Sequence, residues 1–410
     1  MTVRRHSRGI ILAAAFIVMM SGGRVAAQQS TLATLPEEPP EVVLYRLGPV
    51  LVNPRFTVPE IGRDSNAFND ATAPKDDFIV KFVPEIDFFS DLGVLRVSVR
   101  SSSTFTYFHR YESERSVAEQ LRGRVTARLS RFRPWVGAAN VRSNERTSEI
   151  DARATRVDRE VAAGVHFDVS PLAALTVAAN RVAVRFDGDE VFRDTALATA
   201  LDRNSDTVSA SLKFQATPFT ALTFRGYTSK DTFDFAAGRD SRAQGGDVEV
   251  SFGPEAVIRG RLGVGFRRQE SDDPTVSTFQ GITARGGITT VLVWHAILGV
   301  DYVRDVQYSF DRNEGYYLEN GVNLVYTQRI GGPFDVQGRI SRQGLDYTAT
   351  DIGTGRTDVQ WTYHGGIGYS LESGSRFGIS YEFADRESAL TDRQFSRRRL
   401  FGSFSYEFWK

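Results

Sequence analysis

Cysteine is absent from this chain of 410 residues, which excludes a disulfide framework, a thiolate nucleophile and any cysteine-bound metal. Stability must then come from backbone pairing and packing. Histidine is sparse and scattered, at His6, His109, His166, His295 and His364. No HExxH or paired-ligand spacing occurs, so neither a metal site nor a cofactor is expected. A GxSxG elbow, a Walker loop and a GxGxxG turn in a strand-to-helix context are all lacking, and with them the usual enzyme motifs. Net charge is missing too: 50 basic residues balance 50 acidic ones, so no global field marks nucleic acid as a partner. Within that balance lysine is nearly absent. Only Lys75, Lys81, Lys213, Lys230 and Lys410 occur, and the remaining positive charge is arginine, whose fork pairs with carboxylates and stays charged in confined places.

Long hydrophobic runs are lacking as well. The longest in the body of the chain, Ile288 to Val300, is interrupted by His295 and reads as two strands around a turn, well short of the roughly 20 apolar residues of a spanning helix. A membrane form of this protein would therefore be a barrel. At the start, Arg4, Arg5 and Arg8 precede the apolar stretch Ile10 to Met20, and Val25-Ala26-Ala27 offers a small-residue cleavage site. Residues 1–27 read as a secretory signal peptide that sends the chain out of the cytoplasm. Residues 28–47, rich in Pro and Glu, have no periodicity and read as an extended periplasmic leader, with a lumen plug as the other possibility.

From residue 48 to 410 the chain becomes a succession of alternating segments of about ten residues, joined by two kinds of connection. The short kind is built of turn residues: Ser90 to Gly93, Arg131 to Pro134, Ser170 to Leu172, Thr217 to Phe219, Gly253 to Glu255, Trp294-His295, Gly331 to Pro333 and Glu372 to Ser375. Between these lie longer polar stretches, among them Ser65 to Asp76, Ser143 to Asp158, Asp187 to Ser205 and Ala384 to Arg397. Strict alternation of short and long connections is what periplasmic turns and external loops impose on an outer-membrane barrel. The expected fold is all-β: a transmembrane antiparallel up-and-down β-barrel of about 18 strands, with 16 as the alternative. A 22-stranded barrel with a plug domain does not fit the length, and the blade motifs of a soluble propeller are missing.

The faces follow the same logic. Phe78, Val80, Phe82, Ile86 and Phe88 oppose Lys81, Glu85 and Asp87; Leu121, Val125 and Leu129 oppose Arg122, Arg124 and Arg128; Ile258, Leu262, Val264 and Phe266 oppose Arg259, Arg261 and Arg267. An arginine turned to lipid at midplane costs about 2–4 kcal/mol, so the arginines must face a polar interior. One segment breaks parity: Leu175, Val177 and Ala179 give way to Val182, Val184 and Phe186, and a bulge at Asn180-Arg181 is expected to absorb the slip.

Arg399 to Lys410 places Leu400, Gly402, Phe404, Tyr406 and Phe408 on one face and Arg399, Ser403, Ser405 and Glu407 on the other. This resembles the closing strand of bacterial outer-membrane barrels, although Trp409 and Lys410 follow the aromatic on which that signature usually ends. The opening, Arg46 to Phe68, with Gly48-Pro49, Pro54 and Gly62-Arg63-Asp64-Ser65-Asn66, is similar to that of a family of outer-membrane β-barrel porins often encoded with exopolysaccharide secretion genes. The resemblance implies a channel or export-associated barrel in the outer membrane. Taken locally, Asp64, Ser65 and Asn66 are turn formers between a strand and an external loop.

The candidate site is a lumen-facing charge ladder: Arg96, Arg100, Arg122, Arg124, Arg128, Arg259, Arg261 and Arg339, with Glu85 and Asp87 among the acids. Arginine is in excess there, and passive passage of hydrophilic solutes with a preference for anions, or export of polysaccharide, is the expected function. A barrel enzyme of lipase or deacylase type and a non-conducting scaffold are the alternatives. Outer-membrane lipid, lipopolysaccharide, and the barrel-assembly machinery acting on the last strand are the expected partners. Asp187-Gly188-Asp189-Glu190 reads as a solvated turn before a calcium loop. Tyr107, Trp135, Tyr227, Trp294, Tyr326, Trp361, Tyr363, Tyr381, Tyr406 and Trp409 are candidates for aromatic girdles.

Overall fold

The computed structural model describes Leu32, Leu35 and residues 43–311, 314–348, 355–372 and 374–406. The expected signal peptide and the residues after Tyr406, Phe408 and Trp409 among them, lie outside the described residues. Eighteen strands carry the fold: β1 Val50–Asp64, β2 Asp77–Leu92, β3 Leu95–Phe108, β4 Ser116–Ala127, β5 Phe132–Ser143, β6 Arg156–Ser170, β7 Ala173–Phe186, β8 Arg203–Thr217 and β9 Thr220–Phe233 make one half. The other half is β10 Ser241–Phe252, β11 Ile258–Ser271, β12 Phe279–Val291, β13 Ile297–Tyr308, β14 Tyr316–Gly331, β15 Phe334–Thr348, β16 Arg356–Ser370, β17 Ser375–Glu387 and β18 Phe395–Tyr406. Each pairs antiparallel with its neighbours in sequence, and β1 pairs with β18 from Phe56 opposite Tyr406 to Asp64 opposite Arg399, which closes the barrel. Closure removes both sheet edges, which is what lets a sheet sit in hydrocarbon.

All eight short connections form at one rim. Left-handed residues make the tight ones: Gly93 at φ +76°, and Gly331 and Gly332 at φ +150° and +53°, conformations that a Cβ would strain. The strands are 12–16 residues long, longer than the segments of ten that alternation suggests. Their outer ends rise past the lipid into water, where the outward face has no reason to stay apolar. There Arg181 binds Asp206 at 2.6 Å, with Lys230 opposite Asp206 and Arg242 opposite Lys230 on the next strands.

Strand parity assigns the faces as the alternation implies. Val264, Phe266, Ile282, Ile340, Ile379 and Leu400 are exposed on the outer wall, Ile379 to 69%, and the arginines opposite them point inward. Three readings change. No bulge exists at Asn180-Arg181, since β7 pairs with β8 without interruption from Ala173 to Val184; Val182, Val184 and Phe186 instead turn into the lumen, where they meet packed loops. Trp135 and Tyr227 belong to no girdle, because both sit at inward positions of their strands. A bulge does occur in β1, between Val58 and Ile61, at Pro59, whose missing N–H would break a regular ladder.

That bulge aims Glu60 into the seam between β1 and β18. Lys81 and Arg399 each approach Glu60 to 3.1 Å, Arg399 also binds Glu382, and Glu382 holds Arg339 at 2.8 Å. Asp64, Ser65 and Asn66 play the turn role: Asp64 Oδ1 accepts from Asn66 N at 2.9 Å, and Ser65 Oγ accepts from Arg398 N at 2.9 Å.

Replacing Val264 by Arg is expected to impair assembly at a cost of about 2–4 kcal/mol near midplane, and Phe404→Arg, nearer the periplasmic rim, at a smaller cost, whereas Ser405→Arg, on the lumen side, is tolerated. Heat-modifiable mobility of the three variants on gels measures this, and equal yields of folded barrel would contradict the assigned faces.

Candidate functional site: a charged and constricted lumen

One wall of the lumen is basic. On β3 and β4 Arg100 lies opposite Arg122 and Ser98 opposite Arg124, so Arg96, Arg100, Arg122, Arg124 and Arg128 share a face. Neither strand turns a carboxylate inward, for Glu119, the one acid in the two strands, takes an outward position. Compensation comes from β2. Asp87 accepts from Arg100 at 2.6 Å and from Arg55 at 2.9 Å; Glu85 binds Arg55 and lies 3.7 Å from Arg100. Glu85 and Asp87 were expected within reach, but Asp91, at the periplasmic turn, adds a third carboxylate to Arg128 at 2.6 Å and Arg96 at 3.3 Å. Arg122 donates to Gln120 at 2.8 Å, and the Arg124 guanidinium lies 4.3 Å above the Trp135 ring. The rest of the predicted ladder lies elsewhere: Arg259 and Arg261 face inward on β11, seven strands from β4, and Arg339 belongs to the seam.

The outer half of the lumen is filled by loops. Ile150 and Ala154 from the loop after β5, Leu197, Ala200 and Leu201 from a short helix after β7, and Phe310 after β13 are buried together on the inward-facing Val184 and Phe186. The loop after β5 then crosses the barrel. Ser148 reaches Gln343 on β15, ten strands away in one direction and eight in the other. Arg386 of β17 donates to the Ser148 carbonyl at 2.6 Å, and Arg393 to the Glu149 carbonyl at 2.8 Å. Both arginines converge on the buried Asp358, at 2.6 and 3.0 Å. Glu149 caps the opposite loop, accepting from Ser309 Oγ and Phe310 N at 2.9 Å each.

Loop carboxylates here are held in unusual states. Burial raises the Glu149 carboxyl above its ordinary range, against the bond from Phe310 N, the charge of Arg393 and the bond from Ser309. Burial also pushes Glu314 up to about 7, with Arg356 and Arg393 opposing and Asp311 and Glu149 adding to the rise. His166 bonds Thr176 at 2.8 Å and Asp168 at 3.2 Å, and His364 lies beside Phe401, both on the inner wall. Among the described residues no group of three His, Asp or Glu side chains is placed to hold a metal ion, and Glu190 of the acidic turn instead accepts from Thr155 N at 2.8 Å.

A closed barrel with a charged inner wall and an inward-folded loop has the architecture of a channel. The model of the family described as Putative beta-barrel porin 2 matches residues 38–406. The chain belongs to that family. No curated protein matches the porin. Among solved structures it resembles OpdK of Pseudomonas aeruginosa, crystallised with vanillate, at 14% identity and a TM-score of 0.47, with 87% of this chain and 98% of that one covered. OccK2 (OpdF) of the same organism, solved with glucuronate, gives 11% identity and a TM-score of 0.50 over 87% and 98%. OccAB3 of Acinetobacter baumannii gives 11% and 0.48 over 87% and 99%. The likeness is one of fold. As a member of the porin family the protein resides in the outer membrane, and its own strands make an 18-stranded barrel.

The loop lock was not expected from the sequence: Glu149, Arg386 and Arg393 fall inside stretches read as long connections, and Asp358 carried no assignment. The signal lay in two places, the inward apolar trio Val182, Val184 and Phe186, and Ile150 inside an otherwise polar stretch.

Asp358→Asn leaves Arg386 and Arg393 buried without their shared charge, a change that costs about 3–5 kcal/mol for a broken buried pair. The loop after β5 should then open while the barrel persists, and limited proteolysis of cells bearing the variant should cut between residues 144 and 155. The raised carboxyl of Glu314 gives a second expectation. A folded-state value near 7, above the unfolded one, means that the packed loops bind an extra proton between the two, so their packing is firmest below the unfolded value and weakens as pH rises through 7. Amide protection factors in the loop after β13, that is exchange corrected for the intrinsic rate at each pH, should be higher at pH 5 than at pH 8, and Glu314→Gln should flatten the difference.

Proposed function

We propose that this porin passes small hydrophilic anions passively, along the arginine wall of β3 and β4. The observation that carries the reading is that two adjacent strands turn five guanidiniums and no carboxylate toward the lumen. Fixed cations in a water-filled passage raise the local concentration of anions and lower the barrier to their entry, an effect that salt screens. Asp91 binds Arg96 and Arg128, Asp87 and Glu85 hold Arg100, and Arg122 donates to Gln120 while Arg124 stacks on Trp135. An acidic polysaccharide would meet the same charges.

Two partners follow on the same terms. The outward charges Arg181, Lys230 and Arg242, above the apolar band, suit the phosphates of lipopolysaccharide. The alternating final strand suits recognition by the barrel-assembly machinery.

The test is a planar-bilayer recording under a salt gradient. Arg122, Arg124 and Arg128 changed together to Gln should move the reversal potential toward cations by several millivolts or more without loss of folded barrel. An unchanged reversal potential in an open pore would reduce the wall to structure.

A further inference from the structure

The inner face of β5 and β6 carries an apolar notch where a polar lumen is expected: Trp135, Gly137, Ala139 and Ala162 all occupy inward positions. Exposed to water this patch would be unfavourable. It is covered by two leucines from near the start of the same chain. Leu32 and Leu35 are exposed to only 1% and 4% and form one buried cluster with Ala139 and Ala162, against Trp135. The fit is close, since a Cβ built on Gly137 would come within 2.8 Å of Leu32 Cδ1; any larger residue there would push the leucine out.

The notch adjoins the basic wall. Gly137 lies opposite Arg124 and Ala139 opposite Arg122 in the β4–β5 ladder, and Trp135, which the leucines touch, carries the Arg124 guanidinium on its ring. Leu44 N–H donates to the inward Asn53 Oδ1 at 2.9 Å, and Tyr45–Leu47 runs along β1 to the rim turn at Gly48-Pro49. Two leucines seated on alanine and glycine, with no disulfide available, are a reversible hold.

We propose that Leu32 and Leu35 act as a stopper of the arginine track: with the two leucines seated, the passage beside Arg122 and Arg124 is obstructed, and the channel conducts fully when they leave. The proposal rests on the barrel being a channel and not on its ion preference.

The experiment records full-length mature porin in planar bilayers beside two variants, each first checked for heat-modifiable folding. Leu32→Asp with Leu35→Asp should raise mean conductance several-fold or lengthen open times, because two carboxylates cannot rest in the notch. Leu35→Cys with Ala139→Cys, in a chain that has no other cysteine, should stay at low conductance when oxidised and recover on reduction. Conductance and dwell times equal to the parent in both variants, oxidised or reduced, would overturn the stopper while leaving the channel intact. Folded barrels that never conduct, the Asp variant included, would overturn both readings.

Discussion

Everything in this molecule depends on the antiparallel seam between β1 and β18. Hydrocarbon offers no partner to a peptide group, so an eighteen-stranded sheet is stable in a bilayer only if its first and last strands find each other. The sequence of β1 is poorly suited to that task, with Pro54 and Pro59 in a strand paired on both sides. The bulge at Pro59 resolves the conflict, and the charge chain through Lys81, Glu60, Arg399, Glu382 and Arg339 fastens the seam from the lumen side. The ends of the chain are therefore the site of both the weakest ladder and one of the densest ion-pair networks.

How much of this was legible depended on which rule governed each residue. Strand number, the two classes of connection and the in-or-out assignment of Arg122, Arg124, Arg259 and Val264 follow from local periodicity under a single constraint, the contrast between lipid and water. Where that constraint ceases, the reading fails. Val182, Val184 and Phe186 looked like a register slip because apolar was equated with outward, yet they face inward onto Ile150, Leu201 and Phe310. Trp135 was taken for a girdle residue on the same equation, and it serves instead as a stacking plate for Arg124.

The candidate site shows the same division. Side-chain parity placed the five arginines on one wall, but the strength of that wall is set by Asp91, which a turn brings back within reach of Arg96 and Arg128. The lock made by Asp358, Arg386, Arg393 and Glu149 joins residues more than 200 positions apart. No spacing in the chain announces such a contact, because it exists only once the cylinder has closed and a loop has found the far side.

That crossing loop has a mechanical meaning. A tube whose wall is one sheet thick resists stretching through its ladder of hydrogen bonds but yields readily to being squashed into an ellipse, as lateral pressure in a crowded membrane would do. A segment rooted between β5 and β6 and fastened at Ser148 to Gln343 and Arg386 acts as a tie across the diameter. It keeps the cross-section round along that axis.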